Sequence, residues 1–453
     1  MNRAGTTAAL VAAAFLALLA WAATAPAGHA KPKTSRVSVS STGREGGASS
    51  DFPSVSANGR YVCFESLNKF VGGDAKMDDD VFVHDRKTGK TKRASVKSNG
   101  DEAPGFASSD SCSISGDGRL VAFRSDAALV GGDTNGYEDV YVHDMNTGKT
   151  TRVSVKSNGD QVFADSSDPR ISANGRFVAW DTTAALSNAD VNLHADVYRH
   201  DLSSGKTQQV SLRSTGSQPV DGDSTEPSLS ANGEKVAFQS DDGQMTADTD
   251  YQFAIDTDVF VRNMQAGKTV RASLSSNGDE PTYPGQTPPS NVNSNHPVIS
   301  ANGKFVAFRS FGIYNGSDDQ PNYDDVFVRN LDTHKTSLVS RKSNGDQAPG
   351  DSAYTDPHPI EISGDGRFVA FDSLARLSGQ DTDTVGDVYV RDRNAGKTKL
   401  VTVKSNGDQL GGTDAALPSL SEDGKWVAFA SADPYVGDDH NNESDIFERG
   451  PLR

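Results

Sequence analysis

The residues best suited to chemistry are acidic and amide side chains in a loop that recurs along the chain. In four copies the loop reads Asp-x-Asn/Asp-x-x-x-Asp, which places oxygen-only side chains at alternating positions. A hard cation such as Ca²⁺ requires ligands of this type, so the pattern predicts metal sites that would rigidify the loops. The four sets are Asp133, Asn135 and Asp139; Asp190, Asn192 and Asp196; Asp381, Asp383 and Asp387; and Asp439, Asn441 and Asp445.

A second interpretation of the same residues needs no metal. Asp and Asn side chains cap turns by accepting hydrogen bonds from nearby backbone amides, and an Asp that begins a strand can hold a repeat together as an acceptor. Three further copies of the loop are interrupted by Lys76, Gln252 or Pro321. No glutamate closes any copy at the distance that an EF-hand loop requires, so both interpretations stay open.

Histidines and enzyme motifs point to no catalytic centre. His84, His143 and His200 share one repeat position, and the other copies carry arginine there. Because arginine does not ligate metals in this way, we expect a shared cationic or hydrogen-bonding role at the surface. The chain has no Gly-x-Ser-x-Gly, no His-Glu-x-x-His and no phosphate-binding or dinucleotide-binding glycine motif, so we assign no catalytic and no cofactor-binding residues.

Two cysteines, Cys63 and Cys112, fall in neighbouring repeats. In an oxidising compartment a single pair can form a disulfide. The sequence leaves a bridge and two buried free thiols equally open, because the separation of the two Cα atoms decides between them. Neither has a histidine fixed beside it, so a catalytic thiol is not predicted.

The elements that position these residues come from a repeat. A segment of the form Ser-x-Asn/Asp-Gly, followed by a polar residue and an apolar run such as Val-Ala-Phe, occurs seven times at intervals of 57–70 residues. Asn-Gly and Asp-Gly favour type I′ turns, so each copy predicts a tight hairpin. The apolar run does not alternate, which indicates a strand buried on both faces. The glycines of the seven turns are Gly59, Gly118, Gly175, Gly233, Gly303, Gly366 and Gly424.

Each repeat continues with two more strands. An Asp-Val-Phe/Tyr segment predicts a third strand, and a Thr-Gly-Lys-Thr type of turn leads into a fourth. The last repeat ends after its third strand, whereas Arg36–Ser40 reads as a fourth strand with no repeat before it. The sequence therefore predicts an all-β fold: a seven-bladed β-propeller of four-stranded antiparallel blades, with the last blade closed by the N-terminal strand.

The repeat unit resembles the WD40-like (PD40) repeats of the TolB-like propeller family. The likeness rests on the motifs Ser-x-Asn/Asp-Gly, Asp-Val-Phe/Tyr and Thr-Gly-Lys-Thr and extends from Arg36 to Arg453. It implies a closed propeller used for binding, because TolB itself is a periplasmic partner-binding protein. The chain departs from the family in lacking the aromatic residue before the turn, in its longer period, and in lacking the small α/β domain that precedes the propeller in TolB.

The N-terminus predicts export. Arg3 precedes an apolar stretch from Ala8 to Ala23 that ends in small residues, with Ala30 as the last residue before cleavage. We thus expect a secretory signal peptide at 1–30, with an uncleaved anchor as the alternative, and a single propeller domain at 31–453. The formal charge of −17 argues against nucleic acid or an anionic membrane as partner. We expect a secreted or cell-envelope monomer that does not insert into a membrane after signal cleavage.

Three functional hypotheses follow. The first is a binding protein that engages a protein or glycan partner through rim loops without turnover. The second is an extracellular hydrolase or lyase with carboxylates at the mouth of the channel, with Ca²⁺ assisting, and the third is a purely structural module. A Pro- and Asn-rich insertion from Asp279 to Asn295 is a candidate partner contact, with a tolerated surface loop as the alternative.

Overall fold

The computed structural model describes residues 31–73, 76–103, 107–187, 190–219, 221–242, 245–246, 256–281, 292–314, 323–355 and 359–452. The predicted signal peptide, most of the predicted insertion, Gln252 and Pro321 lie outside these ranges. Among the residues that the structure describes, no helix has the length and apolar character needed to cross a membrane.

The described chain forms 28 strands in seven four-stranded antiparallel sheets, which confirms the predicted seven-bladed propeller. In blades 1 to 6 the strands pair in chain order, so every connection within a blade is a hairpin. Blade 1 contains β2 (Ser50–Val55), β3 (Tyr61–Ser66), β4 (Asp80–Asp85) and β5 (Lys90–Arg93); blade 2, β6 (Ser109–Ile114), β7 (Leu120–Ser125), β8 (Asp139–Asp144) and β9 (Thr150–Arg152); blade 3, β10 (Ser166–Ile171), β11 (Phe177–Thr182), β12 (Asp196–Asp201) and β13 (Lys206–Gln209); blade 4, β14 (Ser224–Leu229), β15 (Lys235–Ser240), β16 (Asp258–Asn263) and β17 (Lys268–Arg271); blade 5, β18 (Ser294–Ile299), β19 (Phe305–Ser310), β20 (Asp325–Asn330) and β21 (Lys335–Leu338); blade 6, β22 (Ile360–Ile362), β23 (Phe368–Ser373), β24 (Asp387–Asp392) and β25 (Lys397–Leu400); blade 7, β26 (Ala415–Leu420), β27 (Val427–Ser431), β28 (Asp445–Gly450) and β1 (Lys33–Arg36).

The N-terminal strand closes the ring, as predicted. β1 pairs antiparallel with β28, and the Val37 N–H donates to the Ile446 carbonyl at 2.8 Å. The strand itself lies earlier than the predicted Arg36–Ser40, because Ser38 leaves the ladder and its hydroxyl donates to the Asp445 carboxylate at 2.5 Å. Closure by this strand removes an exposed sheet edge from blade 7.

A ring of backbone hydrogen bonds joins all seven blades around the channel. Each bond joins the first hairpin of one blade to the first hairpin of the next blade, at 2.8–3.1 Å. Because the last bond returns to the first blade, the array is closed and is not a linear solenoid. The bonds are Ala57 N to Gly116 O, Gly116 N to Ala173 O, Asn174 N to Ala231 O, Ala231 N to Ala301 O, Asn302 N to Gly364 O, Gly364 N to Glu422 O, and Asp423 N to Ala57 O.

The core consists of seven apolar clusters, and each cluster lies between two neighbouring blades. In β19, Val306, Ala307 and Phe308 are fully buried at successive positions, because each face of the strand packs on a different blade. This confirms the interpretation of the non-alternating Val-Ala-Phe runs. Between blades 1 and 2 a disulfide adds to the cluster: it joins Cys63 to Cys112, whose Cα atoms are 6.4 Å apart.

The first hairpin of each repeat differs from the predicted type I′ turn. Gly59 has φ of 73°, but Asn58 is not among the residues with positive φ. The Gly59 N–H donates to the Ser56 carbonyl at 2.9 Å, and the Asn58 side chain accepts from the Arg60 N–H at 3.0 Å. The type I′ prediction is therefore wrong: only the glycine is left-handed, because the side chain of Asn58 caps the turn in place of a second positive φ.

The connections divide the propeller into two faces. The first hairpin of every blade and the third hairpin of blades 1 to 6 lie on one face, which we call the hairpin face. The loops between second and third strands, and the connections between blades, lie on the other, which we call the loop face. The recurring acidic loops all belong to the loop face, because each precedes a third strand.

Candidate functional site on the loop face

The Asp that begins each third strand has the same bond in every blade. Its carboxylate accepts from the hydroxyl of a Ser or Thr that follows the fourth strand, at 2.5–2.8 Å. All seven aspartates therefore have the structural role that the second sequence interpretation gives them. The pairs are Asp80 with Ser95, Asp139 with Ser154, Asp196 with Ser211, Asp258 with Ser273, Asp325 with Ser340, Asp387 with Thr402, and Asp445 with Ser38.

The first Asp and the amide of the predicted metal sets also have protein partners. Asp133, Asp190 and Asp381 each accept from the hydroxyl of a tyrosine in the following strand. Asn135 donates to the Asp139 carboxylate at 3.2 Å and to the Val162 carbonyl at 2.8 Å. Similarly, Asn192 donates to Pro219 O, and Asn441 donates to Gly46 O, both at 3.3 Å.

An arginine guanidinium lies between the carboxylates in two of the four predicted metal sets. In blade 2, Arg152 Nη1 is 2.9 Å from Asp139 and 3.1 Å from Asp133. In blade 7, Arg36 Nη1 is 3.3 Å from Asp445 and 3.6 Å from Asp439, and it also pairs with Glu45. Each guanidinium therefore supplies the positive charge that a metal ion would supply. Arg93 and Arg271 do the same for the third-strand Asp of blades 1 and 4.

Blade 6 has no such arginine. Leu400 occupies the fourth-strand position that is Arg152 in blade 2, and one carboxylate oxygen from each of Asp381, Asp383 and Asp387 lies within 4.8 Å of the others. Among the described residues no Lys or Arg side chain forms an ion pair with these three carboxylates. The amide of Gln409 donates to Asp387 at 2.9 Å and to Asp381 at 3.4 Å.

The electrostatics of the blade 6 cluster favour an added cation. The pKa of Asp387 is raised to about 7, mainly by burial and also by the charges of Asp381 and Asp383, against the hydrogen bond from Thr402. Blade 3 resembles blade 6, because Gln209 replaces the arginine and burial raises the pKa of Asp196 to about 6. The predicted sets of blades 3 and 6 are thus the ones that lack a guanidinium.

The shared histidine position is buried, which corrects the predicted surface role. His84 is buried and its Nδ1 lies 2.9 Å from the Thr91 hydroxyl, and His143 and His200 have equivalent threonine partners. Arg262 forms the same contact with Thr269 at 2.9 Å. Burial lowers the pKa of His84 to about 4, so the position acts as a hydrogen-bonding group within the core.

Exposed apolar side chains concentrate on the loop face, and the sequence motifs did not indicate this. Among the described residues nine large hydrophobic side chains are exposed, and eight belong to loops of this face. Val270, on an outer strand, is the exception. The loops of blades 2 and 3 carry half of the eight. The eight are Leu67, Met77, Tyr137, Phe163, Val191, Leu193, Phe311 and Leu374.

Two of these aromatic residues line a cavity of about 340 Å³ at the rim between blades 2 and 3. We call it the blade 2–3 pocket; Tyr137, Phe163, Asp165 and Asp181 are among its lining residues. Asp165 is exposed and accepts from the Glu138 N–H at 2.9 Å. Asp181 is buried, and its Oδ1 has no hydrogen-bond partner.

The central channel is narrower and carries few charges. Its cavity has a volume of about 120 Å³, which holds only a few water molecules. At one repeat position of the inner strands, which lines the channel, most blades have a serine. Blade 3 has Arg170 at this position, and blade 6 has Glu361. Burial, opposed by the charge of Arg170, raises the pKa of Glu361 to about 7. A cavity of this volume can hold water or a small ion.

The inner strands contain a bulge that the sequence analysis missed. Six non-glycine residues with φ near 50° occur at equivalent places in these strands, where the pairing register shifts. In four cases a side chain from the preceding blade accepts the N–H of this residue. Each acceptor is the residue directly after the Val-Ala-Phe run. This position is polar in six of the seven repeats, and that regularity in the sequence could have identified the acceptors. The pairs are Glu65 with Ser111, Asp181 with Glu226, Gln239 with His296, and Asp372 with Leu417.

Comparisons with known proteins agree on the fold. No protein-family model and no curated protein matches the chain. An oligogalacturonate lyase in complex with manganese is similar over 93% of this chain and 91% of its own, with a TM-score of 0.51 and 12% identity. A prolyl endopeptidase is similar over 90% of this chain and 50% of its own, with a TM-score of 0.51 and 12% identity.

TolB from Acinetobacter baumannii, a member of the family that the repeats resemble, is also among the similar structures. The match covers 71% of this chain and 58% of the TolB chain, with a TM-score of 0.37 and 14% identity. At these identities the likeness is one of fold, since one propeller scaffold serves both binding proteins and enzymes.

Proposed function

We propose that this chain is an exported, non-catalytic β-propeller that binds a partner protein through its loop face. The observation that carries the proposal is the one-sided distribution of exposed apolar side chains. Leu193 and Phe163 are 91% and 70% exposed, and neither packs on the propeller that displays it. Apolar side chains gathered on one surface mark interaction sites, whereas singly scattered ones need no explanation.

The channel is a weaker candidate for the same role. A cavity of about 120 Å³ cannot admit a folded partner or a polysaccharide. The purely structural hypothesis is also less favoured, because a module without a ligand has no need to keep apolar side chains exposed on one face. Export follows from the predicted signal peptide and places the partner outside the cytoplasm.

Capture of a partner by matched variants tests the proposal. The purified protein, a Phe163→Ser/Leu193→Ser variant and a Val270→Ser control are immobilised and exposed to culture supernatant and cell-wall extracts. Because Val270 is exposed away from the loop face, its variant removes apolar surface without touching the site. We expect the control to retain the same protein as the unmodified chain and the double variant to lose it. Equal capture by all three contradicts the proposal, and capture of a glycan in place of a protein shows the wrong class of partner.

We infer that the loop face also holds a structural Ca²⁺ ion, and that its site is blade 6. The arrangement supports this site over the other predicted sets. Arg152 and Arg36 already neutralise the carboxylates of blades 2 and 7, and the blade 3 set has Asn192, whose amide donates to Pro219 O, in place of a third carboxylate. Asp381, Asp383 and Asp387 would hold the ion through carboxylate oxygens, the ligands that Ca²⁺ prefers.

A Leu400→Arg variant tests the calcium site. An arginine at this position copies blade 2, so it should pair with Asp387 and exclude the ion. We expect Ca²⁺ in excess to raise the unfolding midpoint of the unmodified protein and chelator to lower it, because a ligand of the native state stabilises that state. The Leu400→Arg variant should show neither shift, whereas Asp133→Asn in blade 2 should respond as the unmodified protein does. An unmodified protein whose midpoint ignores both Ca²⁺ and chelator rules the site out.

A hydrolase or lyase is the second candidate function. It is favoured by a charged cluster at the loop-face end of the inner strands. Burial, together with the charges of Asp168 and Glu226, raises the pKa of Asp181. Glu226 also pairs with His296, whose Nδ1 lies 2.8 Å from its carboxylate. Burial raises the pKa of Asp181 well above its usual value, and carboxyl groups in different protonation states can divide acid and base roles. This candidate requires cleavage of an extracellular polysaccharide or peptide by the unmodified protein and its loss in Asp181→Asn. A screen without any cleaved product excludes it.

A further inference from the structure

The blade 2–3 pocket lies in an acidic part of the loop face. The loops of blades 2 and 3 on this face, and the connection that follows each of these blades, comprise segments 126–138, 161–165, 183–195 and 217–223, which contain seven acidic residues and no lysine or arginine. Any ligand at this rim therefore meets an excess of negative charge. The seven are Asp126, Asp133, Glu138, Asp165, Asp190, Asp221 and Asp223.

Basic residues from the strands neutralise only part of this charge. Arg152 pairs with Asp133, and Arg124 lies 3.2 Å from Glu138. The guanidinium of Arg124 is also held by Asp110 at 2.8 and 2.9 Å, so it is not available to the other acidic residues. The carboxylate of Asp165 accepts a backbone N–H and forms no ion pair among the described residues.

The lining of the pocket combines aromatic surface with carboxyl oxygens. Tyr137 and Phe163 both line it and are both exposed. Asp165 supplies the exposed carboxylate of the lining, whereas the Asp181 carboxylate is buried and accepts the N–H of Glu226 in blade 4. A cation is attracted by the face of an aromatic ring and by a carboxylate together, and a flexible lysine or arginine stem packs on apolar surface.

We propose that the blade 2–3 pocket receives a lysine or arginine side chain from a basic segment of the partner protein. The aliphatic stem packs against Phe163 and Tyr137, and the charged end faces Asp165. This inference rests on the proposed partner-binding function and adds the chemistry of the partner. The formal charge of −17 for the whole chain also favours a basic partner, because opposite net charges accelerate the encounter of two proteins.

The test measures binding of two short peptides by calorimetry. One peptide has nine residues with three lysines separated by glycine and serine, and its match carries glutamate in place of each lysine. The proteins are the unmodified chain, Phe163→Ser, Asp165→Asn and the control Asp438→Asn. Asp438 is exposed on the blade 7 loop, so its variant makes the same change of charge on the same face away from the pocket.

We expect the lysine peptide to bind the unmodified protein, with an affinity that falls as NaCl is added, and the glutamate peptide not to bind. Phe163→Ser and Asp165→Asn should each weaken binding by about fivefold or more, and Asp438→Asn should bind as the unmodified protein does. Because Phe163 and Asp165 are exposed, both variants should fold, which circular dichroism checks.

Three outcomes of the binding experiment overturn the inference. The lysine peptide fails to bind, it binds all four proteins equally, or a neutral oligosaccharide competes for the Phe163 site. If the lysine peptide fails while capture of a protein still depends on Phe163 and Leu193, the partner-binding function stands and its basic character is wrong. If capture is also independent of these residues, both proposals fall. Sedimentation that shows a dimer of this chain lost in Phe163→Ser identifies a second copy as the occupant and overturns the inference as well.

Discussion

Glu65 links pH to the stability of the contact between blades 1 and 2. Its carboxylate accepts the N–H of Ser111 at 3.0 Å, and Ser111 has φ of 53° in the bulge of β6. The pKa of Glu65 is raised to about 8, mainly by burial and also by the charges of Asp110, Asp79 and Asp51, while the hydrogen bond from Ser111 opposes the increase. The folded protein therefore keeps a proton on Glu65 at pH values where the unfolded chain has lost it.

The sign of the effect follows from this difference in proton binding. In the unfolded chain the pKa of Glu65 is near the ordinary glutamate value of 4.5, and in the folded protein it is about 8. Stability is therefore full below the unfolded pKa and is lost as the pH rises from about 4.5 through about 8. At about 1.4 kcal/mol per pKa unit, the loss over this window is at most about 4 kcal/mol.

Glu65→Gln should remove this loss, because an amide stays neutral and still accepts the Ser111 N–H. Gln239 has this role in blade 4, where it accepts the His296 N–H at 3.1 Å. Unfolding by guanidinium at pH 5 and pH 8 measures the effect for each protein. We expect the variant to be close to the unmodified protein at pH 5 and more stable at pH 8. Glu65→Ala, which removes the acceptor, should be less stable than Glu65→Gln at both values. If the unmodified protein and Glu65→Gln lose equal stability between pH 5 and pH 8, the assignment to Glu65 is refuted.

Three further changes test the architecture. Cys63→Ala removes a disulfide between residues 49 apart in sequence, and the loss of this loop constraint should lower the free energy of unfolding by about 4 kcal/mol. A reductant should therefore lower the unfolding midpoint of the unmodified protein and leave that of the variant unchanged. Deletion of residues 31–40 exposes the edge of β28, and light scattering should show concentration-dependent association that the full chain lacks. Gly118 has φ of 76°, and in Gly118→Ala the added methyl group meets the ring of Tyr61. Gly100 has a similar φ of 86° but open space around it, so Gly118→Ala should lower the unfolding midpoint well beyond Gly100→Ala. Equal losses in the two variants would show that only the backbone conformation matters.

Local patterns in the sequence predicted the repeat, the blade number and the closure of the ring. A Ser-x-Asn-Gly segment marks a hairpin through bonds among neighbours in sequence, such as Asn58 to Arg60, and a Val-Ala-Phe run indicates a strand buried on both faces. The unpaired first strand and the incomplete last repeat left a single way to complete the blades. The details of the turn were wrong because one side chain cap replaced a second positive φ, and a dipeptide does not distinguish these two conformations.

The candidate sites depended on contacts that the sequence does not display. Arg152 and Leu400 occupy the same repeat position. Only the register of the fourth strand shows that Arg152 pairs with the carboxylates of blade 2 and that Leu400 gives those of blade 6 no equivalent ion pair. Glu65 reaches Ser111 across 46 residues of chain, because radial packing brings one blade against the next.

The sequence also does not show which apolar side chains are exposed at a binding face. Phe163 and Val270 are both apolar in sequence, and the tertiary structure alone places the first beside a pocket on the loop face and the second on an outer strand. The physical reason is the range of the forces: turns and strand burial are set by residues a few positions apart, whereas charge pairing, burial of carboxyl groups and the shape of a binding face are set by segments that meet only when the ring closes.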